Sequence, residues 1–177
     1  MRRFVAWRSI DDEWRAEGCR VERDELGLRA VGVQLGSTYQ LDYGLETGPE
    51  LFTRRFVVTV KDADGERGIL LERSEDDGAW TANGDPLPDM EEALDIDLAL
   101  SPLTNFMPAA RLGDEPTEHV MVWVDVPSLQ VYRSPQRYEP MGPRRVRFVS
   151  LDSDFTAELD LDADGFVLHY PELAGRA

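Results

Sequence analysis

The sequence predicts a mainly β fold built of antiparallel strands, and three observations carry that reading. Apolar and polar residues alternate in segment after segment. Asp-Gly turn tetrapeptides close two of the alternating runs, and apolar residues at helical spacing are scarce. At 177 residues and 42% hydrophobic content, the chain holds enough apolar material for one core, so a single domain spanning residues 1–177 is expected.

The strands follow in order. Tyr39, Leu41, Tyr43 and Leu45 fall on one face of an extended segment, and Gln40, Asp42 and Gly44 on the other. Phe56, Val58 and Val60 oppose Arg55, Thr59 and Lys61 in the same way. Asp62-Ala63-Asp64-Gly65 then reads as a hairpin tip, because an Asp-Gly pair readily supplies the positive φ of a tight connection. Pro86, Pro88, Pro102 and Pro108 break residues 84–112 into loops and short turns, with Leu87 to Leu94 expected as a short helix. Val120-Met121-Val122-Trp123-Val124 is apolar on both faces, so a second sheet, a helix or a ligand must cover each side. Last, Phe155, Ala157, Leu159 and Leu161 alternate with polar neighbours. They lead through Asp162-Ala163-Asp164-Gly165, the same tip again, to Phe166, Leu168 and Tyr170.

Charge narrows the function classes. The formal net charge of -16 repels a phosphate backbone, so no nucleic-acid partner is expected. No stretch approaches the roughly 20 apolar residues of a bilayer span. The start, Phe4-Val5-Ala6-Trp7 cut by Arg8 and Asp11, is too short and too polar for a signal peptide. With a lone cysteine, Cys19, the expectation is a cytoplasmic protein.

Few residues group into a recognisable chemistry. Asp160 to Gly165 matches the opening of a calcium loop, but Pro171 stands where the bidentate glutamate belongs, and a strand-turn-strand accounts for the segment. No metal or cofactor is expected. His119 and His169 read as surface histidines, and Cys19 as a small buried thiol. Arg54-Arg55 and Arg144, Arg145 and Arg147 are local basic groups, able to hold an anion or simply to pair with surface acids. Asp95 and Asp97, two apart in an extended segment, face one side and can raise one another's pKa. By composition, a solvated acidic edge is the favoured account of the pair, and no histidine or cysteine lies nearby in sequence to complete a site.

Taken together, Asp95-Ile96-Asp97, Ser101-Pro102-Leu103-Thr104-Asn105-Phe106-Met107-Pro108 and Arg111-Leu112 resemble the D-x-D and T-P-x-T-N-x-x-P-[IV]-R-R-L block of a bacterial family, the "putative glycolipid-binding" proteins. Trp7-Arg8, Tyr39 to Tyr43, Thr53-Arg54-Arg55, Val126-Pro127, Gln136-Arg137-Tyr138, Gly165-Phe166-Val167, Tyr170-Pro171 and Arg176 extend the resemblance over most of the chain. Ser101 replaces the usual threonine, Ala110 the first of the paired arginines, and Phe52 a commoner tryptophan.

This resemblance implies a strongly curved antiparallel sheet forming a half-open barrel, similar to bacterial carriers of lipoproteins and complex lipids. It implies a non-enzymatic carrier whose concave face holds an amphiphile, a glycolipid or lipid-like molecule. The polar set expected to orient the head group is Arg54, Asp95, Asp97, Thr104, Asn105, Arg111, Gln136 and Tyr138. The same residues equally suit a lock for a long loop, with Arg54 or Arg111 paired to Asp95 or Asp97. Two other readings stand beside the carrier: a small hydrolase or isomerase using Asp95, Asp97 and Arg111, and an interaction scaffold working through exposed strand edges.

Overall fold

The computed structural model describes residues 1–177. In chain order the strands are β1 (Arg2–Ser9), β2 (Ala16–Asp24), β3 (Gly27–Leu35), β4 (Tyr39–Thr47), β5 (Thr53–Asp62), β6 (Gly65–Arg73), β7 (Trp80–Ala82), β8 (Asp85–Leu87) and β9 (Ala93–Leu98). After helix α1 (Phe106–Arg111) come β10 (Thr117–Val124), β11 (Val131–Pro140), β12 (Arg145–Ser150), β13 (Thr156–Leu161), β14 (Val167–Tyr170) and β15 (Ala174–Arg176). All fifteen strands join one sheet, ordered β8 through β1 and then β15 down to β9, so the terminal strands β1 and β15 meet in its middle. The sheet is strongly curved and does not close into a barrel.

Alternation places the core. Val5 and Trp7, Cys19 and Val21, Leu28 and Ala30, Leu41 to Leu45, and Phe56 to Val60 all turn one way and are buried, while their neighbours face outward. Against this inward face lie Ile96 and Leu98 of β9, Val122 and Val124 of β10, and Phe106 and Met107 of α1, in the same apolar cluster. The far edge of the sheet has therefore rolled into the hollow of the near half. The opposite face of β10 looks toward a second cluster formed by Tyr138, Phe148, Leu159 and Tyr170. Val122 and Val124 are therefore buried on one face and Met121 on the other, while Trp123, on the same side as Met121, is half-buried.

The hairpin tips form where the Asp-Gly tetrapeptides fall. Asp62 and Asp162 each accept the backbone N–H two residues on at 3.0 Å, and Gly65 and Gly165 follow with φ of +114° and +94°. Asp162 and Asp164, the carboxylates of the calcium-like run, are held by arginines: Arg3 bonds both, and Arg176 reaches Asp162 at 3.1 Å.

Two expectations change. Leu87–Leu94 is not a helix: Leu87 ends β8, Asp89 takes φ +62°, which no right-handed helix tolerates, and Ala93 already begins β9. The helix lies instead at Phe106–Arg111. There Pro108 falls in the first turn, where its missing N–H has no helical partner to lose. The sheet also carries one parallel pair, β9 with β10; α1 lies in the connection between them and carries the chain back to the same end.

One glycine is essential to the inward face. A Cβ at Gly32 would meet the Tyr43 ring at 2.4 Å and Cys19 Cβ at 2.7 Å. The ring lies over the bare backbone of β3, and its hydroxyl reaches Glu17 at 2.5 Å. Gly32→Ala is expected to push Tyr43 off this contact and lower stability by about 1–3 kcal/mol, as overpacking does. Chemical denaturation checks this, and an unchanged midpoint would refute the packing described.

Candidate functional site

The interior segment β9–α1 is polar on one side, and its polar groups are all engaged. Thr53 Oγ1 accepts the Ile96 N–H at 3.3 Å, and Gln34 Nε2 donates to the Ala99 carbonyl at 3.1 Å. Ser101 Oγ donates to Glu17 at 2.7 Å, and Arg111 Nη1 donates to the Leu51 carbonyl at 2.9 Å. Each contact ties the segment to β2–β5 or the β4–β5 turn. Leu100, at φ +65°, makes the sharp turn between β9 and the Ser101–Asn105 stretch.

Strand alternation points Asp95 and Asp97 to the same side of β9, away from Ile96 and Leu98. Their surroundings differ. Asp95 is completely buried and takes a bidentate grip from Arg111, whose guanidinium also lies 5.0 Å from the centre of the Phe52 ring. Burial pushes the Asp95 carboxyl up from the ordinary range, and Arg111 works in the opposite direction. Asp97 sits one register step further along and borders open space. Its Oδ1 accepts from Thr104 Oγ1 at 2.8 Å and its Oδ2 from Gln136 Nε2 at 2.6 Å. Burial raises this carboxyl too, against the pull of both hydrogen bonds. Tyr138 extends the network by donating to Asn105 Oδ1 at 3.0 Å, and Asn105 Nδ2 donates to the Ser101 carbonyl.

This network borders a cleft of about 810 Å³ between the Asp97–Asn105 stretch and the inward faces of β10–β14. Its walls are aromatic. Trp123 and Tyr132 lie 5.7 Å apart between ring centres, and Phe148, Phe155 and Tyr170 form a triangle with separations of 6.0, 6.4 and 6.3 Å. Asp97, Asn105 and Gln136 line it, and Ser134, Ser150, Ser153, Asp125, Asp152 and Arg133 add further polar groups. Volume, apolar walls and a few convergent polar groups are the usual make-up of a small-molecule site. A broader depression of about 890 Å³ lies on the outward face of β1–β5, but glycines and valines line it and no polar network converges there.

Of the residues singled out from the sequence, the structure gathers Asp97, Thr104, Asn105, Gln136 and Tyr138 into one network at the cleft. Asp95 and Arg111 lie behind that wall as a closed pair. Arg54 is elsewhere, exposed and paired with Glu75. Among the basic groups, Arg145 and Arg147 pair with acids of β11 and β13. His169 is exposed, whereas His119, expected at the surface, is half-buried edge-on to Tyr138 at 5.9 Å. Cys19 is buried, and burial pushes its thiol up to about 12. The aromatic walls were not picked out as site residues, since each aromatic taken singly reads as core.

Sequence reasoning also passed over Glu17. Only 4% exposed, it accepts hydrogen bonds from Tyr43 and Ser101 on one oxygen, and its other oxygen has no partner. The signal was present: Glu17 shares the parity of Cys19 and Val21, the buried face of β2.

An open half-barrel whose own edge strands roll inward and wall an aromatic cleft defines a class of β protein with room for a ligand. Within that class the chain belongs to the family described as "Putative glycolipid-binding", which matches residues 4–176. It is also similar to the crystal structure of a DUF1089 family protein from Pseudomonas aeruginosa. The TM-score is 0.75 at 29% identity, covering 97% of this chain and 92% of that one. The comparison with curated proteins gives no match. No helix is long and apolar enough to cross a membrane.

Two outcomes follow from the buried acids. Burial pushes the Glu17 carboxyl up to about 7, against about 4.3 in an unfolded chain. Between these values the folded protein holds a proton that the unfolded chain has released, so this contribution to stability is lost as pH rises through the window. Glu17→Gln keeps the accepting oxygen and removes the charge. It is expected to flatten the pH dependence and to be the more stable protein by about 2 kcal/mol above neutrality; unfolding curves at several pH values measure this. Arg111→Ala leaves Asp95 buried without its partner and is expected to cost about 3–5 kcal/mol. Asp95→Asn combined with Arg111→Ala is expected to recover part of that loss, and a double-mutant cycle reads the difference.

Proposed function

We propose that the protein is a non-enzymatic binding or carrier protein for an amphiphile with an uncharged, hydroxyl-rich head group, held in the aromatic cleft between β9 and β14. The observation that carries this reading is the joining of two surfaces in one cleft: the Asp97–Gln136–Asn105 network and the rings of Trp123, Tyr132, Phe148, Phe155 and Tyr170. Thr104 and Gln136 fix Asp97, and its remaining lone pairs point to a ligand hydroxyl as acceptors. Asn105 lies beside it with one amide N–H beyond the one given to the Ser101 carbonyl, whereas Gln136 is taken up by Asp97, Ser134 and Tyr138. The rings accept the apolar face of a sugar or the start of an acyl chain.

The charge of the lining favours a neutral head group. Asp97, Asp125 and Asp152 oppose a single arginine, Arg133, and that arginine is paired with Glu92. A phosphate or sulfate would meet net negative charge without a free guanidinium. Arg54, Asp95 and Arg111 are left out of the ligand set, the first for its distance on the outer surface and the other two because they satisfy each other.

A hydrolase or isomerase reading rests on Asp97 alone, the one carboxyl that is both raised and open to the cleft. Asp125 and Asp152 also line the cleft, but Asp97 is hydrogen-bonded to Thr104 and Gln136 and to no second acid, base or nucleophile, which favours binding over catalysis.

Native mass spectrometry of protein purified from its own host, followed by lipid extraction, is the primary test, and a co-purifying glycolipid is the expected result. Absence of any bound amphiphile, together with no binding across a panel of neutral and anionic glycolipids, would count decisively against the carrier. With a ligand in hand, Phe155→Ala and Asp97→Asn are each expected to weaken binding by about tenfold or more, corresponding to about 1.4 kcal/mol. Arg54→Ala is expected to leave affinity unchanged, and recovery of the ligand chemically intact after incubation separates a carrier from an enzyme.

A further inference from the structure

The outward face of β1–β6 carries a pattern that the proposed binding cleft does not use. Following register from strand to strand, one row across the sheet reads Arg2, Glu22, Arg29, Glu46, Arg55, Glu72. Its charges alternate in sign across all six strands. Arg2 pairs with Glu22 at 2.9 Å and Arg55 approaches Glu72 at 3.6 Å. The two central charges, Arg29 and Glu46, are exposed and make no ion pair or side-chain hydrogen bond within the chain, although they stand opposite each other in register.

The next outward row reads Phe4, Arg20, Val31, Gly44, Val57, Leu70, apolar except for Arg20, and it is uneven. Phe4 is 79% exposed and Val31 61%, while Gly44 lies between Val31 and Val57. Together with Gly18 and Ala6 of the row beyond, Gly44 forms the floor of the shallow depression of about 890 Å³. Large exposed apolar side chains beside a glycine hollow form knobs and a socket on one surface.

We propose that this face is a homodimer interface, with the two-fold axis lying in the interface plane along the strands, between β3 and β4. An isologous contact must be self-complementary, and this surface meets that condition for an axis along the strands and not for one across them; the position between β3 and β4 is the one that engages all six strands. With the axis along the strands, the charge row meets itself reversed. Arg2 faces Glu72 of the second copy, Glu22 faces Arg55, and Arg29 faces Glu46, so every charge meets its opposite. In the next row Val31 meets Gly44, placing the knob over the hollow, and Phe4 meets Leu70, while Arg20 lies across from Val57 with its guanidinium free to turn toward Glu22 at 3.7 Å. In the row that begins at Arg8 and ends at Glu66, those two residues also meet.

An axis across the strands has the reverse effect. It sets the charge row against itself in register, like on like, or against the Arg8 row, where Arg2 meets Arg8, Arg55 meets Lys61 and Glu72 meets Glu66. Like-charge contacts of this kind suppress the wrong arrangement. The near-parallel strand directions that remain match the aligned packing of two twisted sheets.

Six strands about 4.8 Å apart and about six residues deep present on the order of 500 Å² per copy, near the lower limit for a specific interface. The association is therefore expected to be concentration-dependent, in the micromolar range, and weakened by salt.

Sedimentation equilibrium of the full chain, from nanomolar to submillimolar concentration, tests the proposal. The wild type is expected to pass from monomer to dimer. Arg29→Glu and Glu46→Arg are each expected to raise the dissociation constant about tenfold or more, and the double swap Arg29→Glu with Glu46→Arg to restore it. Val31→Asp is expected to abolish the dimer, while thermal melting at high dilution stays that of the wild type. A monomer at every concentration overturns the proposal, as does a dimer indifferent to these substitutions. Capture of phosphatidylcholine or phosphatidylglycerol vesicles through Phe4 and Val31 by a chain that never dimerises overturns it too, in favour of a membrane surface.

Discussion

The structure depends on one constraint: residues 93–112, with two carboxylates and a guanidinium among them, lie inside a rolled sheet where unpaired polar groups are costly. Much else follows from satisfying them. Arg111 must grip Asp95, and to do so α1 must return the chain alongside β9. Gln34, Thr53 and Glu17 are polar residues on an otherwise apolar inward face because Ala99, Ile96 and Ser101 need partners there. The parallel β9–β10 pair is the topological result of the same excursion. Once the segment is fixed, its free side forms a wall, and the cleft is the space left between that wall and β10–β14.

The two aspartates show how position within this constraint divides structure from chemistry. They are two residues apart on one strand face, yet one is sealed by a guanidinium and the other is held by neutral donors that leave it facing a cleft. A neutral grip fixes the carboxyl without neutralising its capacity to accept a further hydrogen bond, whereas the guanidinium consumes that capacity. The lock, one of two alternatives the sequence presents for this block, is formed by Asp95 and Arg111, and the carboxyl proposed above to orient a ligand lies on the next register step.

The outer parts of the fold were legible because they obey period-two alternation and simple turn chemistry. Tyr39 to Leu45, Phe56 to Val60 and the two Asp-Ala-Asp-Gly tips lie where the pattern puts them. Val120–Val124 is apolar on both faces, but what each face meets, the apolar cluster for Val122 and Val124 and a cleft for Trp123, depends on how far the sheet rolls. Residues 84–112 were harder. Prolines marked breaks there, but positive φ at Asp89 and the inward course of the chain are set by tertiary contacts, so the helix was expected in the wrong stretch. Of the candidate site, the polar block could be read from Asp95 to Arg111, and the aromatic walls could not, since they converge from four separate strands and the connection before β13. Glu17 and Gln34 were readable in principle: each sits on the buried parity of its strand, where an acid or amide requires an explanation.

The meeting of β1 and β15 at the centre of the sheet has a consequence for how the chain reaches this state. Trp7 Nε1 donates to the Val167 carbonyl across 160 residues of sequence, and the Ala177 N–H reaches the Ala6 carbonyl. A ribosome releases β1 well before β15, so the hydrogen-bonding edge of β1 that faces β15 stays unpaired until β15 has emerged. The meander from β1 to β8 can form from neighbouring strands alone, while the seam that joins the two halves closes only once β15 is available. Such distant pairing slows folding, and the waiting edge is where a nascent chain is most open to chaperones or to pairing with another chain.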